Sequence, residues 1–285
     1  MIIDCHTHIF PEEMRKKREA FCEKDEGFSF IYKNSKARMV GVKDLIDSMD
    51  ESGVEKSVIC GFPWSRSDLC SLHNQYLMES ASRYPHRLIV FVSLLFSDLD
   101  WSGRELDQGL KGGARGVGEI AFYCQEMTSQ DITSMKPILT QMEKQRIPCL
   151  IHTNETIGHP YPGKGITPLE RFYELILSFP GLLILLAHWG GGLPFYELMP
   201  EVAKTMANVY YDTAASPFLY SKKIYAVVSE IVGVEKILFG TDFPLILPQR
   251  YFRELENSGL SEEDRKKILG LNFSKLFRLD RRGSR

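Results

Sequence analysis

The sequence lacks the features that would direct a protein into a membrane or onto nucleic acid. It contains no run of about eighteen consecutive apolar residues, the length that a membrane-spanning helix needs. Its formal net charge is only -2 at pH 7, so it has no excess of positive charge to hold a nucleic-acid backbone or an anionic bilayer. The first residues also lack the basic and apolar regions of a signal peptide. We therefore expect a cytoplasmic protein with no membrane or nucleic-acid partner.

Cysteine is scarce, and its spacing forms no motif. The chain has six cysteines, and no two of them are arranged as C-x-x-C. Cys5, Cys60 and Cys149 lie within apolar runs, where a free thiol packs as a small hydrophobic group. This pattern argues against a disulfide framework or a thiolate metal site and predicts reduced, buried thiols.

What the chain does contain is a regular alternation of short apolar runs with amphipathic segments. Its 285 residues are 44% hydrophobic and 25% charged, which is typical of a globular protein. After the first connection the apolar runs recur about every thirty residues, as repeated βα units require. The predicted strands are residues 2–9, 56–62, 87–94, 114–120, 148–153, 182–188, 208–213 and 236–242.

Eight such units in a chain of this length predict one α/β domain over residues 1–285, folded as a (β/α)8 TIM barrel. An open, doubly wound sheet is the alternative, and it would hold the first and last strands far apart. A final helix should begin at Ser261, its N-cap, and run through Phe277. Residues after Leu279 are expected to fray. The other predicted helices are 42–51, 73–83, 100–110, 131–145, 169–179, 196–207 and 222–232.

The first connection, residues 11–42, is too long for a simple turn between a strand and its helix. In a barrel it would rise from the carboxyl-terminal face of the strands, where substrates bind. It carries Phe28, Phe30 and Tyr32 together with many lysines and arginines. We expect this long loop to form a lid or a pocket wall. A packing excursion or a contact in a homodimer is the alternative.

Histidines and carboxylates gather at the ends of the predicted strands. His6 and His8 lie two apart on the first strand, so their side chains point to the same face. Four of the seven histidines fall at strand ends, which converge on one opening in a barrel. Imidazole and carboxylate donors suit zinc or another divalent first-row ion. The candidate metal ligands are His6, His8, Glu119, His152, His188 and Asp242.

Several motifs resemble segments of a known group of proteins. They are HWGG at 188–191, FGTDFP at 239–244 and ILGLNFSKLF at 268–277, together with the histidine pair of the first strand. As a set they are similar to the amidohydrolase superfamily. The resemblance is greatest to its amidohydrolase-2 branch, which is related to aminocarboxymuconate-semialdehyde decarboxylase. It extends from residue 2 to about residue 279.

The resemblance implies a divalent metal, usually zinc, held by His6, His8, His152 and Asp242. It also implies that His188 acts as an acid, a base or a ligand to a second metal. At the fourth strand the best-known binuclear members carry a carboxylated lysine, whereas this chain has Glu119. Glu119 could bridge two metals, bind one metal, or accept a hydrogen bond from a metal-binding histidine. The sequence therefore predicts one or two metal ions.

The reaction that these residues predict is hydrolysis of a small amide, ester or lactone by a metal-activated water. Asp242 would accept a proton from that water, and His188 would stabilise the developing oxyanion or act as the acid. A non-oxidative decarboxylase or hydratase of a small carboxylic acid is the alternative at the same site. A TatD-like nuclease, suggested by Glu119, and a catalytically silent metal-binding protein are less favoured.

Five further residues are candidates for binding the small-molecule substrate. His159, Tyr161 and Lys164 follow the fifth strand and should overhang the site, although a rigid proline-fixed loop with no ligand role would account for the same segment. Trp64 and Arg66 follow the second strand. Trp64 could line the pocket and Arg66 could bind a carboxylate in a bidentate manner, with a surface arginine as the alternative.

Overall fold

The structure is a computed structural model that describes residues 1–279. Eight parallel strands form one sheet in the order β1 to β8, so each strand pairs with its neighbours in sequence. The fraying expected after Leu279 concerns residues 280–285, which lie outside the described range. The strands are β1 (Ile3–Thr7), β2 (Lys56–Cys60), β3 (Leu88–Val92), β4 (Gly116–Ile120), β5 (Cys149–Ile151), β6 (Ile184–Leu186), β7 (Val209–Asp212) and β8 (Ile237–Leu238).

Hydrogen bonds between the first strand and the segment that continues the last strand close the sheet into a barrel. The Cys5 amide donates to the Phe239 carbonyl at 2.8 Å, and the Asp242 amide donates to the His6 carbonyl at 2.9 Å. The predicted (β/α)8 barrel is therefore confirmed. An open sheet is excluded because it would separate these two segments.

Helices surround the barrel. The α-helices are α1 (Glu12–Lys16), α2 (Arg18–Cys22), α3 (Glu26–Tyr32), α4 (Val42–Ser52), α5 (Ser67–Arg83), α6 (Leu99–Lys111), α7 (Ser129–Gln145), α8 (Leu169–Ser178), α9 (Pro200–Thr205), α10 (Ser216–Leu219), α11 (Lys223–Val232), α12 (Pro248–Glu256), α13 (Glu262–Lys266) and α14 (Asn272–Phe277). Short 3-10 segments lie at His188–Leu198, Met206–Asn208 and Val234–Lys236, and a π-helical segment spans Lys267–Leu271. Within residues 1–279, no helix combines the length and the apolar character needed to cross a bilayer.

The structure differs from several of the helix predictions, and the final helix predicted from Ser261 through Phe277 is interrupted by the π-helical segment Lys267–Leu271. The helix predicted at 196–207 is shorter, because α9 begins only at Pro200, whose missing amide hydrogen is tolerated in a first turn but not further along a helix. The helix predicted at 73–83 begins at Ser67 instead. The helix α12 was not predicted, since only Pro248, Tyr251 and Leu255 of its nine residues are buried and the apolar pattern is correspondingly short.

Both faces of the strands are buried. Side chains such as Cys5, Cys60 and Leu150 fill the barrel interior, while the opposite faces pack against the helices. The buried thiols are free, as the sequence predicts. At the amino-terminal end of the strands, Phe273 and Phe277 of α14 stack with ring centroids 4.1 Å apart. This packing leaves the other end of the barrel for the strand-end histidines and carboxylates.

The first connection is folded, whereas the sequence suggested a long loop. It contains α1, α2 and α3, and the Asp25 carboxylate caps α3 by accepting from the Phe28 amide at 2.8 Å. The same carboxylate accepts from the Ser65 amide at 2.7 Å, which attaches the connection to the segment after β2. The connection and that segment share a cluster of rings that we call the aromatic wall. It comprises Phe10, Phe21, Phe28, Tyr32, Phe62 and Trp64.

Candidate metal centre

Four of the predicted ligands lie together at the carboxyl ends of β1, β4 and β8. The Nε2 atoms of His6 and His8 are 3.0 Å apart. Each lies 3.6 Å from a different oxygen of Glu119. Oδ1 of Asp242 is 3.8 Å from Nε2 of His6 and 3.4 Å from Nε2 of His8. We call His6, His8, Glu119 and Asp242 the first donor set.

A second group of donors lies on the other side of Glu119. Its Oε1 atom is 3.0 Å from Nδ1 of His152 and 3.8 Å from Nε2 of His188. The two imidazole nitrogens are 3.3 Å apart. We call Glu119, His152 and His188 the second donor set. Glu119 therefore belongs to both sets, and all six of the predicted ligands are brought together.

Hydrogen bonds orient three of the imidazole rings with a lone pair directed into the centre. Nδ1 of His6 donates to Oδ2 of Asp212 at 2.8 Å. Nδ1 of His188 donates to the carbonyl of Ala214 at 3.1 Å, and Nε2 of His152 donates to the carbonyl of Gly163 at 2.8 Å. A neutral ring with its hydrogen on the outer nitrogen presents the lone pair of its inner nitrogen to the centre. This is the arrangement that metal-binding histidines adopt.

The donor sets fit a divalent cation. Among the described residues, Nδ1 of His8 is buried without a hydrogen-bond partner, and its Nε2 faces the Nε2 of His6. One donor atom from each of His6, His8 and Glu119 lies within 4.8 Å of the other two. The same holds for Glu119, His152 and His188. Imidazole nitrogens and carboxylate oxygens at this spacing are ligands for a first-row ion.

The two carboxylates of the centre are held in their ionised form. Burial alone would raise the pKa of Glu119, but the neighbouring imidazoles of His6 and His152 hold it well below its usual range. Burial opposes ionisation of Asp242 as well, and the hydrogen bond from His8 together with the charge of His6 lowers its pKa. Both carboxylates are therefore available in their ionised form as ligands for a cation.

His188 of the second donor set is placed by an unusual turn. His188 and Trp189 have φ values of 57°, and three glycines at 190–192 continue with positive φ. The left-handed region suits glycine, and a Cβ at Gly191 would also collide with the Asn154 carbonyl. Asp242 has a positive φ of 59° as well. The HWGG and FGTDFP motifs thus place the site residues on backbone that few sequences adopt.

Asp212 and Tyr123 are site residues that sequence reasoning missed. Oδ1 of Asp212 accepts from the His188 amide at 2.8 Å, while its Oδ2 accepts from His6. The Tyr123 hydroxyl lies 3.4 Å from Oε2 of Glu119, and its ring contacts His152 at 5.0 Å between centroids. The position of Asp212 at the end of the predicted seventh strand was the available signal. Tyr123 gave none, because it follows β4 in an irregular segment.

The substrate-binding candidates after β5 lie beside the centre. Gly163 of this segment accepts the hydrogen bond from His152. The Tyr161 hydroxyl donates to Oε2 of Glu155 at 3.1 Å, and Nζ of Lys164 donates to the Ile157 carbonyl at 3.0 Å. His159 is exposed, with its ring centroid 5.9 Å from that of Tyr161. These contacts fold the segment on itself, and their use by a substrate remains a prediction.

The two candidates after β2 are not part of the donor cluster. Trp64 is 2% exposed, stacks on Phe28 with centroids 4.8 Å apart, and donates from Nε1 to His73 at 3.2 Å. The side chain of Arg66 is 52% exposed and pairs with Asp68 at 3.0 Å. Trp64 is therefore placed as a packing residue of the aromatic wall. Arg66 is placed at the surface, where Asp68 already occupies its guanidinium.

The chain belongs to the amidohydrolase family. The family model described as Amidohydrolase matches residues 3–279, which is nearly the whole chain. The resemblance to the amidohydrolase superfamily that the motifs suggest is therefore confirmed, and so is the TIM-barrel fold that it implies. Membership of this family, together with the clustered donors, supports an enzyme.

Three proteins similar to this chain are decarboxylases. Gamma-resorcylate decarboxylase of Polaromonas sp. is 22% identical over 296 residues, covering 86% of this chain and 90% of that protein. A crystal structure of 2,6-dihydroxybenzoate decarboxylase complexed with 2,6-dihydroxybenzoate superposes with a TM-score of 0.75 at 21% identity, over 98% of this chain and 99% of that one. The 5-carboxyvanillate decarboxylase of Novosphingobium aromaticivorans, solved with bound manganese, gives 0.79 at 17% identity, over 98% and 97%. The structural likeness establishes the fold.

Proposed function

We propose that this chain is a metal-dependent, non-oxidative decarboxylase of a small hydroxylated aromatic acid. The observation that carries the proposal is the ring of Tyr123, which lies between the donors and the aromatic wall. Its centroid is 5.0 Å from that of His152 and 5.9 Å from that of Phe62. An aromatic substrate that reached Glu119 would meet this ring. The similar proteins support the proposal, because each is named for removing carbon dioxide from an aromatic acid.

A divalent ion held by the donors would supply a Lewis acid for the carboxylate and the adjacent hydroxyl of the substrate. The first donor set would hold it, because two of its four members are carboxylates and none of them is more than one-fifth exposed. The sequence favoured zinc, which suits imidazole ligands. One similar structure contains manganese, which suits carboxylates. We propose a divalent first-row ion, with these two metals as the candidates.

We assign proton transfer to Asp242. Its side chain is 20% exposed, so a substrate can reach it, and its lowered pKa leaves the carboxylate unprotonated before the substrate binds. Asp242 would take the proton of the substrate hydroxyl and pass it to the ring carbon that bears the carboxylate. The bond between the ring carbon and the carboxylate then breaks and carbon dioxide leaves. The electron pair of the broken bond restores the aromatic ring. A proton from the solvent then restores the hydroxyl group.

Hydrolysis of a small amide, ester or lactone is the second candidate. The second donor set favours it, because His152 and His188 lie beside the carboxylate of Glu119. In this reaction His188 would donate a hydrogen bond to the developing oxyanion or a proton to the leaving group. The formal charge of -2 gives a nuclease no comparable support.

The proposal is tested by incubating the protein, loaded with manganese or zinc, with 2,6-dihydroxybenzoate and 5-carboxyvanillate. Benzoate serves as the control acid, and a lactone and an amide report on hydrolysis. We expect one carbon dioxide released for each hydroxylated acid consumed. Asp242→Asn should lower kcat by about 100-fold or more, because it removes the proton-transfer group. The surface variant Asp107→Asn should not change kcat. Turnover of the lactone or the amide alone would overturn the decarboxylase in favour of the hydrolase.

A further inference from the structure

We propose that Tyr32 binds the substrate through its hydroxyl and selects acids that carry a second, uncharged oxygen on a ring carbon next to the one that bears the carboxylate. The inference rests on the decarboxylase proposed above and names the class of acid that its site takes. Three features of the structure carry it: the position of α3 beside the donors, the hydroxyl of Tyr32, and the charges around that hydroxyl.

The helix α3 lies against the ring that borders the donors. A Cβ at Gly27 would be 3.9 Å from the Tyr123 ring, and the ring centroid of Phe30 is 6.5 Å from that of Tyr123. The Tyr123 hydroxyl in turn lies 3.4 Å from Oε2 of Glu119. Tyr32 is the last residue of this helix. The helix therefore brings side chains of the first connection to the edge of the metal centre.

The ring of Tyr32 is held by three other rings of the aromatic wall. Its centroid is 4.8 Å from that of Phe28, 5.1 Å from that of Phe10 and 6.0 Å from that of Phe62. Phe62 also stacks on Tyr123 at 5.9 Å, so the two tyrosines contact the same phenylalanine. Because Tyr32 is only 8% exposed, its ring has little freedom to turn. Its hydroxyl therefore points in a fixed direction.

The hydroxyl of Tyr32 is a hydrogen-bond donor without an acceptor. Within residues 1–279 no group bonds to it, and its oxygen is not fully enclosed by the protein. Burial raises the pKa of Tyr32 well above its usual range, and the charges of Asp242 and Glu119 add to this effect. The hydroxyl thus stays protonated near the two carboxylates of the first donor set. A donor held in this position can be satisfied by an oxygen of the substrate.

The charge of Asp242 at Tyr32 identifies the end of the substrate that this hydroxyl meets. Asp242 is assigned to the ring carbon that bears the carboxylate, so a group near Asp242 meets that end of the ring. The ion would bind the carboxylate and one adjacent hydroxyl. The position left for Tyr32 is the ring carbon on the other side of the carboxylate. An oxygen there would accept the hydrogen bond, whereas a hydrogen would leave the tyrosine hydroxyl unpaired.

The charges around Tyr32 favour a second hydroxyl over a second carboxylate. Asp242 and Glu119 are both ionised and would repel a further negative charge. Arg18 lowers the pKa of Tyr32, but its guanidinium already donates to two backbone carbonyls at 3.0 and 2.8 Å. Arg66 lies at the surface in an ion pair of its own. A hydroxyl on the substrate is neutral and can accept from Tyr32, so it fits this setting.

The test uses two ligands that cannot lose carbon dioxide, 2-nitroresorcinol and 2-nitrophenol. Each carries a nitro group in place of the carboxylate, and they differ only in the second hydroxyl. Calorimetry gives their dissociation constants for the metal-loaded wild type and for Tyr32→Phe, which keeps the ring. We expect Tyr32→Phe to weaken binding of 2-nitroresorcinol by about 5- to 10-fold and to leave 2-nitrophenol unchanged. Tyr84→Phe is the matched control and should change neither, because Tyr84 lies between α5 and the start of β3, at the opposite end of the barrel.

An equal effect of Tyr32→Phe on both ligands, or no effect on either, would overturn the inference, because the hydroxyl would not then recognise the second oxygen. Failure of the wild type to bind 2-nitroresorcinol would overturn it as well. With the acids themselves, kcat/KM for 2,6-dihydroxybenzoate should exceed that for 3-hydroxyphthalate, in which a carboxylate replaces the second hydroxyl, by at least about tenfold. The reverse order would contradict the selection of an uncharged oxygen.

The binding measurements separate this inference from the proposed reaction. A protein that binds 2-nitroresorcinol through Tyr32 but releases no carbon dioxide from the acids would keep the binding role and refute the decarboxylase. A Tyr32→Phe variant that decarboxylates 2,6-dihydroxybenzoate as well as the wild type does would keep the decarboxylase and refute the role of Tyr32.

Discussion

At the scale of single residues, the centre depends on groups that do not themselves face the metal. Asp212 accepts from Nδ1 of His6, from the amide of His188 and from the amide of Ala214, at 2.8, 2.8 and 2.9 Å. One carboxylate thus sets the tautomer of a first-set histidine and the backbone position of a second-set histidine. Such outer partners determine how well the inner nitrogens bind a metal.

Asp212→Asn should weaken metal binding by about 10- to 100-fold while the barrel stays folded. The amide oxygen can still accept from the two backbone amides, but an amide nitrogen facing Nδ1 of His6 favours the tautomer that directs a hydrogen into the centre. Competition with a chelator measures the affinity, and Asp107→Asn serves as the surface control. An affinity equal to that of the wild-type protein would mean that Asp212 does not act through His6.

The donors were predictable at this scale, and their partners were not. His6, His8, His152, His188, Glu119 and Asp242 all lie at or just beyond the ends of predicted strands, so the topology alone brings them together. The acceptors that orient the rings come from elsewhere: Gly163 lies in an irregular segment and Ala214 in a turn after β7. Their positions depend on long-range packing, which periodicity does not report.

At the scale of elements, α5 is joined to the site by a buried histidine. Nε2 of His73 donates to the Ile9 carbonyl at 2.8 Å, just beyond His8, and Nδ1 accepts from the Phe62 amide at 3.2 Å. Burial, with the charge of His8 as a minor contribution, lowers the pKa of His73 to about 4. Its neutral ring therefore helps to join β1, the segment after β2, and α5.

We expect metal-free protein to lose stability as the pH falls from about 6.5 to about 4. In this range the unfolded chain binds a proton at His73 and the folded protein does not, so the contribution of this group is complete above 6.5 and declines below it. A lowering from 6.5 to about 4 corresponds to about 3 kcal/mol. Urea unfolding at several pH values, with chelator present, measures the change.

His73→Gln provides the comparison for this prediction, because a glutamine amide can donate and accept but does not titrate. The variant should lose about 3 kcal/mol less than the wild-type protein across the same pH range. Equal losses in the two proteins would show that other groups produce the acid sensitivity.

The regular elements were more predictable than the connections. Every observed strand lies within a predicted run, because a strand buried on both faces needs a continuous apolar sequence. The first connection was predicted as a loop but contains α1, α2 and α3, each of at most seven residues. Helices this short gain their stability from tertiary contacts, here the aromatic wall and the Asp25 cap, and so leave little periodic signal.

At the scale of the whole molecule, closure of the barrel creates the site. His6 and Asp212 are 206 residues apart in sequence, yet their side chains hydrogen-bond. The Asp242 amide donates to the His6 carbonyl across the seam between the first and last strands. No local segment could gather these groups, and the same seam brings the Asp242 carboxylate beside Nε2 of His8.

The metal content of the double variant His6→Ala/His8→Ala tests this account most directly. The protein is purified without added metal and analysed for its elements beside the wild type, with circular dichroism to confirm that the barrel is folded. We predict that the wild type carries a divalent first-row metal and that the double variant loses the tightly bound equivalent, because both imidazoles of the first donor set are gone. A folded double variant with the metal content of the wild type would contradict the assignment of the centre.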